Sequence, residues 1–414
     1  MKENIKLNID NPQELEKLYR TDKSSFKQEF NLLYPDLKEN KLADFWNERL
    51  NYESPDITWG SRGEFAFVII ASLLAGFIAK IPAYLPVDEI FFYTRNAGFV
   101  IFPILIFYFA WKNKLSLKKI LIAIAAILFA LIFINLLPLN DKSDTLRLSC
   151  IHLPLFLWSV LGFAFTGNRL NNYKDRIEYL RYNGDLIVIT AIILIAGVIL
   201  SGLTIGLFSL IGMEIFEFYR EYIGIFGLAA APIIGTYAVQ KNPQLVNKVS
   251  PVIAKIFSPL VLITLIVYII AIIATGKDPY NDRQFLLTFN GLLIVVMAII
   301  VFSLAETSRS KRNRTEITVL FLLTALTIIV NGIALSAIVF RISEWGITPN
   351  RLAVLGGNIL ILTNLLLVSY KLLMTLLNKS ELENVEKLIS IFLPVYGLWT
   401  VIVVFIFPLI FNFR

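Results

Sequence analysis

From residue 63 to its end the chain repeats one unit: an apolar run, about 17–25 residues long, followed by a short polar break. Nothing else in the sequence constrains the fold so tightly. A helix rises about 1.5 Å per residue, so a run of this length crosses the roughly 30 Å hydrocarbon core of a bilayer. Lipid offers no partner to a peptide group, and a helix satisfies its own backbone within one segment. No alternating ten-residue pattern points to a barrel. Of the 414 residues, 57% are hydrophobic and 17% charged, against roughly 45–50% and about 25% in soluble domains. The expected fold is an all-α, polytopic integral membrane protein of about eleven transmembrane helices. The spans fall near 63–83, 97–111, 118–138, 150–166, 185–211, 222–240, 252–275, 285–304, 316–340, 351–371 and 389–411. The second and fourth are the shortest.

Residues 1–62 read differently, as a small soluble domain of amphipathic helices with a linker. Asn11-Pro12-Gln13-Glu14 carries a cap, a proline at the first helical position and a glutamate three residues after the cap. Leu15, Leu18 and Tyr19 then form one apolar face. Phe26, Phe30, Leu33 and Tyr34 form a second, and Leu42, Phe45, Trp46 and Leu50 a third. Such faces either bury one another in a bundle or dock a protein partner or the membrane surface. "NYESPDITWGSRGE" reads as the linker into the membrane. The polar start of the chain does not have the form of a cleaved signal peptide.

Charge sets the expected orientation. The net charge is +7, but residues 1–62 hold ten Lys/Arg against twelve Asp/Glu, so the excess lies elsewhere. With the N-terminus inside, the inner loops carry 18 Lys/Arg and the outer loops with the tail carry 9, and every inner loop exceeds every outer one. This is the positive-inside pattern of a cell membrane protein, N-terminus cytoplasmic and C-terminus extracytoplasmic. It is not the footprint of a nucleic-acid partner.

The residue types exclude much chemistry. One cysteine, Cys150, and one histidine, His152, cannot form an internal disulfide or supply three or four metal ligands. Two positions apart on a helix they diverge by about 200°, which argues against a nucleophile pair. No metal, cofactor or catalytic constellation is expected. No carboxylate falls inside a span; Glu64, Asp185 and Glu221 sit at span ends, within reach of solvent, and Lys80 is placed to snorkel. That pattern argues against proton coupling through a buried acid. Asn331 and Asn358 lie about 10–15 Å below the outer surface and could meet, while Asn364 points elsewhere. Their pairing would be an interhelical hydrogen bond or the lining of a polar cavity. Pro103, Pro154, Pro232, Pro259, Pro394 and Pro408 interrupt spans. Gly202 and Gly206, and Gly356-Gly357, suit close helix packing.

The sharpest feature is the outer connection "RISEWGITPNRLAVLGGN". Arg341 ends a span, where a cation favours the helix dipole. Trp345 suits an interface, Gly346 a turn, and Thr348-Pro349 a helix start. Beyond these local roles, Arg341, Arg351 and a helix N-terminus together could hold an anion, such as a lipid phosphate, a carboxylate or a partner's acidic group. Glu344 could instead neutralise one arginine. The stretch resembles the Arg-x-x-Glu-aromatic-Gly-(Leu/Ile)-Thr-Pro-x-Arg signature of an uncharacterised bacterial membrane family, domain of unknown function 4153. The polytopic pattern over residues 63–411 is similar to that family. The resemblance implies a bacterial cytoplasmic membrane, and it singles out Arg341, Glu344, Gly346, Thr348, Pro349 and Arg351. Residues 1–62 lie outside it or form an accessory part. The expected function is permease-like binding or movement of a small or lipid-like anion. Its alternative is a scaffold or sensor subunit that docks a cytoplasmic partner through residues 1–62.

Overall fold

In a computed structural model the described residues are 2–21, 23–37, 40–51, 62–138, 140, 142–169, 171–210, 213–242, 249–275, 280, 283–307 and 314–413. Among them every regular element is helical. The chain divides into two compact units, Met1–Trp59 and Gly60–Arg414.

The first unit holds α1 (Lys2–Leu7), α2 (Pro12–Thr21), α3 (Lys23–Leu33) and α4 (Lys41–Asn51). Side-chain caps set two of the starts. Asn11 Oδ1 accepts from the backbone N–H of Gln13 (3.2 Å) and Glu14 (3.3 Å), and Asn40 Oδ1 from Leu42 (2.8 Å) and Ala43 (3.1 Å). Ile5, Leu15, Phe26, Phe30, Leu33, Ala43, Trp46 and Leu50 make the core. α4 turns Trp46 and Leu50 inward as expected, with Leu42 packed beside them, but Ala43 takes the core place expected of Phe45, which stays outside at 60% exposure. Short α1, absent from the sequence reading, adds Ile5. On the rim, Glu16 pairs with Arg20 (2.9 Å) and Arg49 (2.8 Å). The hydrogen bond from Arg20, and next that from Arg49, hold its carboxyl below the usual range.

The second unit holds α5 (Arg62–Ala79), α6 (Glu89–Lys112), α7 (Leu117–Leu136), α8 (Asp144–Thr166), α9 (Tyr173–Leu210), α10 (Phe216–Lys241), α11 (Val249–Thr275), α12 (Arg283–Thr307), α13 (Arg314–Trp345), α14 (Pro349–Leu376) and α15 (Glu383–Ile410). Among the described residues eight are long and apolar enough to cross a membrane: α6 to α10 and α13 to α15. Three apolar helices are shorter there, Gly63–Ala79, Ala254–Val267 and Asn290–Glu306. The spans read as shortest are full-length helices. α6 starts early because Asp88 caps it, accepting from the N–H of Phe91 at 2.7 Å, and α8 because Ser143 caps it at Leu146. Helices continue through Pro103, Pro154, Pro232, Pro259 and Pro394, and a π-helical stretch, Ile402–Ile406, precedes Pro408.

Three large apolar clusters organise this unit, with a fourth, small one around Val403 and Phe407. One joins α5, α6, α8, α9 and α10 through alanines (Ala71, Ala75, Ala79, Ala229) and aromatics (Tyr108, Phe109, Tyr179, Tyr182). A second joins α9 and α11 to α15. A third joins α6, α7 and α8 to α15 around Phe405. Helix α9 serves two of them, turning Tyr179 and Tyr182 to the first and Ile177 and Leu180 to the second. Glycines mark the close approaches: a Cβ at Gly356 would overlap the Trp399 ring, and one at Gly184 the Phe302 ring. Gly202 and Gly206 do not behave this way, since nothing within 4 Å would meet a Cβ at either. Among the described residues the packing expected of that GxxxG is not made.

Three polar expectations are corrected here. Lys80 does not snorkel. It is 3% exposed, bonded to Glu221 at 3.0 Å and set over the Tyr222 ring at 4.5 Å, because the packing that covers α5 brings a carboxylate within reach. Asp185 is buried in the body of α9, and Glu306 near the end of α12 is 1% exposed. Neighbouring helices cover both, so buried carboxylates do occur in this unit, contrary to expectation.

Candidate functional site

The connection between α13 and α14 is shorter than expected, because α13 runs on through Arg341, Glu344 and Trp345 with no breaker before Gly346. Gly346 then adopts φ +75°, and its N–H bonds the Ile342 carbonyl at 2.9 Å. Thr348 caps α14, its hydroxyl oxygen accepting from the Arg351 N–H at 3.3 Å, with Pro349 at the first helical position. Arg351 Nη1 donates back to the carbonyls of Trp345 (2.8 Å) and Gly346 (2.7 Å). A cation thus satisfies acceptors that the end of α13 leaves open, at the negative end of its dipole. Arg341 is buried, and its Nε donates to the Tyr280 carbonyl at 2.8 Å. Both guanidiniums lie against the Trp345 ring, with centroid distances of 5.4 Å for Arg341 and 5.7 Å for Arg351. The structure therefore brings Arg341, Trp345, Thr348 and Arg351 together. Glu344 is exposed and forms no ion pair with either arginine. Among the described residues no carboxylate pairs with Arg351.

Below this turn lies a layer of amides, and its pairing differs from expectation. Asn358 Nδ2 donates to Asn290 Oδ1 at 2.7 Å, not to Asn331. Asn364 Nδ2 donates to the Tyr396 hydroxyl at 2.9 Å. Asn331 is fully buried, and neither of its amide atoms meets a hydrogen-bond partner among the described residues. The reason is register. Ends placed at 340 and 351 set Asn331 level with Asn358, but the helices end at Trp345 and begin at Pro349. Asn331 is then about 21 Å from its helix end and Asn358 only about 14 Å from its own. Asn290 carried no motif that would have marked it as the partner.

Two further polar places were missed. Arg95 of α6 is 3% exposed, and Nη1 donates to the carbonyls of Ile134 (2.6 Å) and Leu137 (2.9 Å), Nη2 to that of Pro138 (3.3 Å). It closes the end of α7 as Arg351 closes the end of α13. Beside it Asn96 and Asn135 exchange amide bonds of 3.0 and 2.8 Å. The signal was legible: a start for α6 at the Asp88 cap places Arg95 inside the helix and not in a loop. The second place is a cavity of about 260 Å³ between α11, α12 and α13, lined by Lys255, Ser258, Ser303, Glu306, Thr315 and Glu316 among others. Ser258 and Ser303 share a 2.7 Å hydroxyl bond, and Lys255 pairs with Glu316 at 2.9 Å. Sequence reading could not join residues from three helices.

Cys150 is buried, and His152 Nδ1 lies 2.9 Å from the Leu148 carbonyl, so the two are not joined. No group of three or more His, Cys, Asp or Glu side chains suited to a metal occurs among the described residues. No protein-family model, no curated protein and no solved structure matches this chain.

Proposed function

We propose that the chain is a permease-like protein of a bacterial cytoplasmic membrane that binds or moves a small or lipid-like anion. In this reading all eleven apolar helices cross, the N-terminus lies inside, the C-terminus outside, and the outer gate sits at the α13–α14 turn. The likeness of that turn to the family of domain of unknown function 4153 belongs to the same reading. One observation carries it: Arg351 is anchored by carbonyls and, among the described residues, has no carboxylate to neutralise it, at the N-terminus of a 28-residue helix. The guanidinium and the helix dipole are both complementary to an anion. Glu344, Trp345 and Thr348 complete the proposed outer site with Arg341. Native mass spectrometry of the protein in lipid nanodiscs tests it. Arg351→Gln is expected to lose at least tenfold in retained anionic species, and unchanged retention refutes the site. A path to the interior is tested on a Cys150→Ala background. Asn331→Cys or Asn358→Cys should react with a small charged thiol reagent added from outside, and inert thiols exclude an open path. Single cysteines near the two ends that label from the same side overturn the orientation.

A second reading is favoured by a different observation. The first unit has its own core, yet it exposes Leu7, Leu32 and Phe45. Large exposed apolar residues on a small folded unit suit the docking of a cytoplasmic protein. In that case the chain is a scaffold or sensor subunit, and Phe45→Glu releases a co-purifying partner while the membrane unit stays intact.

A further inference from the structure

Asn331 presents a conflict that the outer site does not resolve. A buried amide almost always finds partners, and leaving both of its ends unmet is unfavourable by desolvation with no return. The cost is higher still inside a membrane. Asn331 is 0% exposed, and its Nδ2 and Oδ1 both lack partners among the described residues. Asn364, also 0% exposed, spends Nδ2 on Tyr396 and leaves Oδ1 unmet. The two belong to antiparallel helices joined by the tight turn Gly346–Thr348. Asn331 lies fourteen residues before Trp345 and Asn364 fifteen after Pro349, which places both about 21–23 Å from the turn. Val330, Ala334, Ile361 and Leu365 around them belong to one apolar cluster. A donor with no acceptor and an acceptor with no donor therefore share one depth of the same helix pair.

We infer that Asn331 and Asn364 form a hydration station inside the α13–α14 pair, one that holds a small neutral hydrogen-bonding guest, water first of all. The chemistry of the donor set selects this class. Asn331 offers two N–H groups and a carbonyl, and Asn364 adds a second carbonyl, a mixed set that suits a molecule able both to donate and to accept. Neither residue is charged, and an ion moved to such a place would lose its hydration without a counter-charge. A buried water typically makes about three hydrogen bonds, which these groups can supply. The station does not rest on the anion reading and needs no open path.

Radiolytic hydroxyl-radical footprinting of the protein in nanodiscs tests it, because a bound water labels buried side chains beside it. Val330 and Leu365, both fully buried, are expected to oxidise at least fivefold faster than Leu157, equally buried in another cluster. Asn331→Leu should abolish that difference without raising the melting temperature, whereas Asn331→Ser, with a hydroxyl and room for the guest, should keep it. The idea fails if wild-type Val330 and Leu365 label no faster than Leu157. It fails equally if Asn331→Leu melts higher with labelling unchanged. Should Asn331→Leu not fold, the wild-type and Asn331→Ser labelling decide alone.

Discussion

The two units of this protein solve one problem in opposite senses. The first buries its aromatics, Phe26, Phe30 and Trp46, and places its charges outside, where Glu16, Arg20 and Arg49 pair in water. The second exposes its apolar residues, such as Ile192, Ile195, Val198 and Leu203 on α9, and buries polar ones, Arg95, Asn331 and Asn364 among them. The solvent accounts for the inversion. Water drives apolar surface together, while lipid tails leave no hydrophobic gain between helices, so close packing and internal hydrogen bonds hold the second unit.

The sharpest break in this contrast comes from Trp46→Ala. Loss of a buried tryptophan costs about 3–5 kcal/mol, comparable with all the stability a core this small supplies. Hydrogen-exchange mass spectrometry should show lost protection across 12–51, with α6 to α10 unchanged. Loss in both units would mean that they do not fold separately. Next come the two arginines. Arg95→Gln removes charge-assisted bonds to three carbonyls, two of them buried, and should destabilise by about 1.5–3 kcal/mol, opening the end of α7 to exchange. Arg49→Gln, at an exposed pair, should cost under about 1 kcal/mol. Equal losses would remove the distinction between buried and surface cations. A third comparison lies within the membrane unit. Gly356→Val, against Trp399, should cost about 1–3 kcal/mol of thermal stability in detergent, and Gly202→Val close to nothing. A large loss at Gly202 would reveal a partner helix on α9.

The smallest effect is on pH. The carboxyl of Glu16 is held below its usual value near 4.5 by Arg20 and Arg49. Its contribution is present above the unfolded value and is lost as pH falls through the lower folded one. Acid should therefore loosen the first unit slightly, and Glu16→Gln should remove that dependence, as read by exchange over α2 and α4. An unchanged acid response would assign it to other carboxylates.

Much of this was readable from residue order, because the information is local. Runs such as Leu117–Leu136 need only their length and apolarity to be helices in lipid. Asn11, Asp88 and Thr348 cap their helices through backbone N–H groups two or three residues away. Gly346 ends α13 through its own dihedral freedom. The sequence alone thus determined a chain of many apolar helices and the turn that joins α13 to α14. Tertiary structure decided which polar groups meet. Asn358 bonds Asn290, 68 positions away, Lys80 bonds Glu221, and Glu306 shares a cavity with residues of two other helices. A shift of five residues at a helix end moves a side chain about 7 Å along the axis and rotates it to another face. Partners across the bundle are therefore set by helix ends and packing, which no local pattern specifies.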